Sequence, residues 1–486
     1  MFCWEDFFQL NSSGRMSKIR FREKNKAKKL PSRINHSASF RDPSGSIFTH
    51  DNEIYRRVNK IYKPQYEYLL SSGLYKRLVK DGLLIPHEEV NLEKIKVYKI
   101  IKPIKIPFIS YPYEWCFSQL KDAAILTLKI QKIALEFGMT LKDASAFNVQ
   151  FLNGKPILID SLSFEKYKHG APWVAYRQFC QHFLAPLSLM ANKDVRLNQL
   201  SRIYIDGIPL DLVVSILPWR VLLKSNLFIH LYLHAKSQKA FADKFLNPKK
   251  HKVSLNSLRG LIESLEKTIK DLTLKTKGST WSNYQDTWNY SKIAYEDKKR
   301  IIKKYLIKAK PKGVWDLGAN MGDFSRIASS LGAYVISIDN DALVIERNYL
   351  SSKKKGEEKI LPLVIDLTNP SPKIGWENKE RESFLERGST DCLLALALIH
   401  HLAISNNLSF EMIASSFSKL CRFLLIEFVP KDDSQVKKLL RTREDIYGYY
   451  SKDNFEKVFA KYFEKLDQSK LKKTNRVIYF YKRKGR

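Results

Sequence analysis

The fold of the carboxyl-terminal part is decided by residues 313–341, GVWDLGANMGDFSRIASSLGAYVISIDND. This stretch opens with a short apolar run and then turns between Gly318 and Gly322. Apolar residues at helical spacing follow, and a second apolar run, 334–338, stops at Asp339. The pattern predicts a βαβ unit, in which a ligand crevice lies at the carboxyl ends of the parallel strands.

Two acids in this stretch indicate the ligand. Asp339 ends the second strand, where a carboxylate can accept from the hydroxyls of a ribose. Asp316 precedes the first glycine, and a carboxylate there repels a pyrophosphate but suits a ligand with an ammonium and a sulfonium. An ordinary turn of a doubly wound domain is the alternative.

The run from Asp316 to Gly322 resembles motif I of the class I S-adenosylmethionine-dependent methyltransferases. Asn320 stands where that family usually has its middle glycine. The resemblance implies that S-adenosylmethionine is the cofactor and that Asp339 binds its ribose. It also implies that four residues bind the methionine end of the cofactor, namely Asp316, Gly318, Asn320 and Gly322.

Later segments continue the pattern. The third strand ends at Asp366, which the resemblance places at the adenine amine, and Leu367 is expected to pack on the ring. The strand over 390–399 runs into His400 and His401, which either take a proton from the methyl acceptor or only fix a loop. We therefore predict an α/β, Rossmann-like seven-stranded methyltransferase domain over 279–486.

A second resemblance concerns the amino-terminal half. Asp143 and Asn148 precede a predicted hairpin that ends at Asp160, which resembles the catalytic and metal-binding loops of kinase-like phosphotransferases. The resemblance implies that Asp143 is a base and that Asn148 and Asp160 bind metal. The absence of His-Arg before Asp143 and of a glycine-rich loop favours lost phosphotransfer or residues that only cap turns.

The domain prediction follows from these patterns. Residues 38–270 are expected to form an α+β kinase-like domain with a helical extension. It is expected to include a hairpin around 50–52, a helix over 62–80 and a long helix over 120–137. Residues 1–37 form a predicted disordered basic arm.

The chain of 486 residues has a formal net charge of +34. This charge favours a polyanionic neighbour, and nucleic-acid contact through the arm is one hypothesis. The most apolar long segment, 208–235, is interrupted by charges, so neither a transmembrane segment nor a signal peptide is predicted. No cysteine or histidine spacing indicates a metal site, and we expect a cytoplasmic protein.

The run from Leu361 to Asp433 is similar to bacterial two-part proteins, some of which are called nodulation or host-specificity proteins. The sequence thus predicts a methyltransferase whose acceptor is unknown, with a small molecule, a glycan or a lipid-linked sugar favoured. Two alternatives remain open, an RNA-modifying methyltransferase that uses its basic surface and a bifunctional methyltransferase-phosphotransferase.

Overall fold

The structure is a computed structural model that describes residues 33–92, 97–222, 225–236, 252–274, 291–441 and 443–485. Most of the predicted basic arm, and the start of the predicted methyltransferase domain at 279–290, lie outside these residues. Within the parts described, each helix is too short or too polar to traverse a bilayer.

The amino-terminal half alternates strands and helices. Its strands are β1 (Arg33–Asn35), β2 (Gly45–His50), β3 (Glu53–Val58), β4 (His87–Val90), β5 (Lys99–Pro103), β6 (Met139–Leu141), β7 (Val149–Leu152), β8 (Lys155–Leu158) and β9 (Phe164–Lys166). Its helices are α1 (Lys63–Ser71), α2 (Leu74–Lys80), α3 (Phe117–Glu136), α4 (Tyr176–Phe179), α5 (Ala185–Asn192), α6 (Leu200–Ile203), α7 (Leu210–Ile216), α8 (Trp219–Leu222), α9 (Ser225–Leu227) and α10 (Leu255–Asp271).

An antiparallel five-stranded sheet opens this half, in the order β1-β2-β3-β5-β4. The predicted hairpin is present, and its turn residues Asp51 and Asn52 both have positive φ. Two predictions are corrected. The strand Arg33–Asn35 lies within the predicted arm, and the helix expected over 62–80 is broken in two at Gly73, where φ is +85°.

Two small antiparallel pairs follow the long helix α3. Strand β6 pairs with β9, and β7 pairs with β8 in a hairpin. Asp143 and Asn148 lie between β6 and β7, while Asp160 lies between β8 and β9. The two pairs therefore bring both loops to one place.

The carboxyl-terminal half has a larger sheet. Its strands are β10 (Gly313–Leu317), β11 (Tyr334–Asp339), β12 (Ile360–Val364), β13 (Thr390–Ala395), β14 (Cys421–Phe428), β15 (Phe463–Lys470) and β16 (Val477–Arg483). Its helices are α11 (Lys292–Ala309), α12 (Asp323–Ser330), α13 (Ala342–Lys355), α14 (Phe410–Leu420), α15 (Ser434–Leu440) and α16 (Lys452–Tyr462).

The strand order is β12-β11-β10-β13-β14-β16-β15. The first five strands are parallel, and β16 is antiparallel to both of its neighbours. The parallel strands are apolar along most of their length because helices cover both faces of such a sheet. Strand β15 has no such pattern, since its sequence FEKLDQSK lies at an edge with mostly exposed side chains.

The two halves share one hydrophobic cluster, to which α3 and the sheet strands both contribute. A buried ion pair joins them as well. Arg387 donates two hydrogen bonds to Glu114, and both side chains are 1% exposed. Gln119 on α3 also donates to the carbonyl oxygen of Pro362 on β12, 3.0 Å away. The other half thus packs against the middle of β12 and against the loop that precedes β13.

Candidate functional site

The glycine bend, residues 318–322, follows β10 at the carboxyl edge of the sheet. Gly318, Asn320 and Gly322 have φ values of +69°, +51° and +80°, a region that glycine and asparagine adopt most easily. A Cβ on Gly322 would lie 2.6 Å from Nδ2 of Asn348, so a larger residue does not fit there. Gly318 is exposed, which leaves the backbone at the top of β10 open among the residues described.

Asp339 lies beside this bend, at the end of the neighbouring strand. Its Oδ2 accepts from the amide of Asn320 and its Oδ1 accepts from the amide of Asp341, each at 3.0 Å. The side chain is only partly buried, and its two oxygens together have more lone pairs than the neighbouring backbone donors use. Asp339 therefore braces the bend and can still accept from a ligand.

Asp316 is more deeply buried than the sequence suggests. It is 1% exposed, and its Oδ2 accepts from the hydroxyl of Ser325 at 2.6 Å. Burial raises the pKa of Asp316 to about 6, although the hydrogen bond from Ser325 opposes this shift. The register pairs Asp316 with Ser337 and Leu317 with Ile338, so Asp316 and Asp339 share one edge of the sheet.

Asp366 follows β12 at the same edge and is exposed. Its Oδ1 accepts from the amide and the hydroxyl of Thr368, at 2.8 and 2.7 Å, which leaves Oδ2 for another donor. Leu367 is half-buried beside it. A cavity of about 270 Å³ lies here, lined by Asp366 and Asn340 on one side and by the amino-terminal half on the other. The three acids are thus arranged along consecutive strands.

The two histidines lie beyond β13 and differ in exposure. His400 is 1% exposed, its Nδ1 has no hydrogen-bond partner among the described residues, and burial lowers its pKa to about 3. His401 is exposed, and the two ring centroids lie 4.2 Å apart. The buried ring is therefore neutral, and His401 is the one that solvent can reach.

Beside these histidines lies a buried cluster of charges whose ion pairs were not predicted from the sequence. Nζ of Lys298 lies 2.6 Å from Oε2 of Glu427, and both side chains are almost fully buried. Arg476 lies 3.5 Å from the same carboxylate and 2.7 Å from Asp433. Lys298 lies on the apolar face of α11, four residues after Ala294. A lysine on such a face is the sequence feature that could have indicated a buried ion pair.

The three polar residues of the amino-terminal loops are already engaged. Asp143 accepts from the amide of Ser145 at 2.9 Å, and burial raises its pKa. Asn148 donates to the hydroxyl of Ser163, 3.3 Å away. Asp160 forms an ion pair of 2.7 Å with Arg56 on β3.

The partners of Asp160 matter for the metal prediction. Its Oδ1, which contacts Arg56, also accepts from the amide of Leu162 at 2.7 Å. In the part of the chain that the structure describes, no group of three or more His, Cys, Asp or Glu is placed to hold a metal ion. The roles predicted for Asp143, Asn148 and Asp160 remain predictions.

Solved structures with similar parts include several methyltransferases. The N-methyltransferase NodS from Bradyrhizobium japonicum WM9 is 8% identical with a TM-score of 0.30, covering 40% of this chain and 99% of that one. Magnesium protoporphyrin IX methyltransferase from Synechocystis PCC 6803, with S-adenosylhomocysteine bound, is 16% identical with a TM-score of 0.31, covering 42% and 95%. The bifunctional kinase-methyltransferase WbdD is 15% identical with a TM-score of 0.30, covering 43% of each chain.

No protein-family model matches the chain. The chain is, however, 32% identical over 464 residues to nodulation protein NoeA of Rhizobium meliloti (strain 1021). The alignment covers 93% of this chain and 96% of that relative, so it includes both halves. The resemblance to two-part nodulation proteins is thereby confirmed, and the chain belongs to the family of nodulation protein NoeA.

Proposed function

We propose that this protein is a class I methyltransferase that uses S-adenosylmethionine. The observation that carries the proposal is the arrangement of the glycine bend, Asp339 and Asp366 on three consecutive parallel strands. Ligands of open α/β sheets bind outside the carboxyl ends of the strands. The exposed backbone at Gly318 and the carboxylates of Asp339 and Asp366 lie on that side.

The donor and acceptor groups suit this cofactor. Asp339 accepts from the ribose hydroxyls, and Asp366 accepts from the amine of the base. Asp316 supports the positively charged methionine end from beneath the bend, as an ionised carboxylate above a pH of about 6. The cofactor supplies a methyl group on a sulfonium. The chain holds and orients it, which is the main requirement of a displacement reaction.

The methyl acceptor is expected beside β13 and β14, next to the site of the methyl group. His401 is exposed there and can take a proton from an acceptor, while the buried His400 packs against its ring. A small molecule, a glycan or a lipid-linked sugar remains the favoured acceptor class. A radiolabelled methyl-transfer screen of fractionated extract with purified protein would identify it.

Asp339→Asn tests the cofactor site directly. The amide keeps the shape of the side chain and one acceptor for the bend but weakens hydrogen bonding to the ribose. Calorimetric titration with S-adenosylhomocysteine should show an affinity loss of about 100-fold, the loss of about 3 kcal/mol from hydrogen bonds to a charged group. Thermal melting would be measured alongside.

Asp391→Asn is the matched control. Asp391 also accepts from two backbone amides, those of Lys312 and Gly313. It lies on β13 beside the amino end of β10, at the end of the strand opposite to the glycine bend. Its replacement should leave the affinity within about twofold of the original. Wild-type affinity in Asp339→Asn, or equal losses in the two variants, would contradict the proposal.

A further inference from the structure

The most apolar long segment of the sequence lies in the helical extension of the amino-terminal half. It ends in a helical segment over residues 225–236, which includes a π-helical turn over Phe228–Leu233. His230 is 1% exposed, and its two ring nitrogens form hydrogen bonds with the hydroxyls of Tyr176 and Ser264, at 2.8 and 2.9 Å. One face of the segment is thereby fixed against the protein.

Another face of this segment is apolar and yet reaches the surface. Ile229 and Leu233 are both exposed, and they lie four residues apart, on the same side of the helix. Helix α8 contacts the segment and carries Trp219, which is 65% exposed. We call these three residues, Trp219, Ile229 and Leu233, the outer patch.

The outer patch is accompanied by cations. Lys236 is exposed three residues after Leu233, on the same side of the helix, and the guanidinium of Arg220 lies 5.5 Å from the centroid of the Trp219 ring. Neither cation has an ion-pair partner among the residues described. The sequence from 212 to 236 contains no Asp or Glu, although 28% of the residues of the chain are charged. The patch is therefore apolar with a positive rim.

This combination indicates what the patch contacts. Single exposed apolar residues are common on protein surfaces, but neighbouring ones mark an interaction site. Tryptophan favours the boundary between lipid headgroups and acyl chains, and Lys and Arg are attracted to anionic lipids. Apolar residues with a cationic rim are typical of helices that lie in the interface of a membrane. The net charge of +34 also favours an anionic surface.

We propose that the outer patch docks the protein on an anionic membrane surface. Its three apolar side chains enter the boundary between headgroups and acyl chains, while Arg220 and Lys236 pair with lipid phosphates. The face that carries His230 stays bound to the protein, so docking requires no refolding of the segment. The proposal goes beyond the methyltransferase function and does not depend on it.

Flotation of the full chain with lipid vesicles tests this surface. Vesicles of phosphatidylglycerol and phosphatidylcholine should bind the wild type, and vesicles of phosphatidylcholine alone should bind it at least about fivefold more weakly. Trp219→Ser should reduce partitioning onto the anionic vesicles at least about fivefold, because the indole no longer leaves water. The double variant Ile229→Gln, Leu233→Gln should have a similar effect.

Trp376→Ser is the matched control. Trp376 is also a largely exposed tryptophan, but it lies between β12 and β13 in the other half. Its replacement should leave vesicle binding within about twofold of the wild type. Lipids with brominated acyl chains should quench part of the wild-type tryptophan fluorescence, and Trp219→Ser should lose this part while Trp376→Ser keeps it. Circular dichroism checks that each variant is folded.

The outcomes decide between occupants of the patch. Equal vesicle binding by the wild type and both patch variants overturns the proposal, because another surface then holds the lipid. A wild type that binds no vesicles also overturns it. In that case, a dimer that Trp219→Ser dissociates would identify a second copy of the chain as the occupant, and RNA binding that Arg220→Gln weakens would identify a nucleic acid. The methyltransferase proposal is tested separately by Asp339→Asn.

Discussion

Two clusters of polar residues lie at the ends of strands, one in each half of the molecule. The sheet-edge cluster consists of Asp316, Asp339 and Asp366, and the hairpin cluster consists of Asp143, Asn148 and Asp160. In the first, Asp339 and Asp366 accept hydrogen bonds only from nearby loop groups, and neither forms an ion pair within the described residues. In the second, Oδ1 of Asp160 forms a salt bridge with Arg56, so the chain itself supplies a cation, while Asp143 accepts from the amide of Ser145 and Asn148 donates to Ser163.

This difference shows that residue types at a given spacing do not make a site by themselves. The partners that the fold brings to them decide whether they remain available. Arg56 lies on β3, far from Asp160 in the sequence, yet its guanidinium reaches that carboxylate. A parallel sheet, by contrast, leaves its carboxyl edge to loops and ligands.

The largest change in the free energy of unfolding is expected for a variant that tests whether the two clusters belong to one folded unit. Arg387→Leu leaves Glu114 buried and unpaired, which should lower the free energy of unfolding by about 3–5 kcal/mol. Lys373→Leu, at an exposed pair with Glu386, should cost less than about 1 kcal/mol. Urea unfolding followed by fluorescence checks both values. Two separate unfolding transitions in the wild type would show that the two halves, and with them the two clusters, fold as independent domains.

The next effect concerns the buried acid of the sheet-edge cluster. Burial raises the pKa of Asp316 to about 6, above an unfolded value of about 3.9. The folded state therefore loses stability as the pH rises through about 4 to 6, by about 3 kcal/mol in total. Asp316→Asn removes this loss, so the variant should be more stable than the wild type at pH 7.5, and the difference should vanish near pH 4.

Urea unfolding of wild type and Asp316→Asn at several pH values checks this prediction. The same variant should bind S-adenosylmethionine more weakly at pH 7.5, because it lacks a negative charge near the ammonium. A pH-independent difference in stability between the two proteins would show that Asp316 is not the titrating group.

The smallest effect concerns the hairpin cluster. Arg56→Gln leaves Asp160 without its cation and should lower the free energy of unfolding by about 2 kcal/mol. The double variant Arg56→Gln, Asp160→Asn should recover part of that loss, whereas Asp160→Asn should not rescue Arg57→Gln. Denaturation curves of the variants give these values.

Affinity measurements test the same difference between the two clusters. Asp160→Ala should leave binding of S-adenosylhomocysteine within about twofold of the wild type, since the cofactor proposal does not involve Asp160. If the wild type binds magnesium ATP and this variant does not, the hairpin cluster is a ligand site too. That result would contradict the contrast between the two clusters and favour a second active site.

Features that depend on local residue patterns could be predicted from the amino-acid sequence. Period-two and helical spacing located the hairpin, α3 and the βαβ unit, and the glycines located the bend after β10. Strand β15 was missed because its charged residues lie at an exposed edge. Asp339 and Asp366 were placed at one edge because parallel strands align their carboxyl ends.

Which side chains meet across long sequence separations depends on tertiary packing. Glu114 meets Arg387, Lys298 meets Glu427, and Asn198 lines a cavity whose other wall follows β12. These approaches depend on how helices and sheets pack, and no local periodicity encodes them. The sequence thus indicated the sheet edge where we propose that the nucleoside binds, and packing of the two halves determined what covers it.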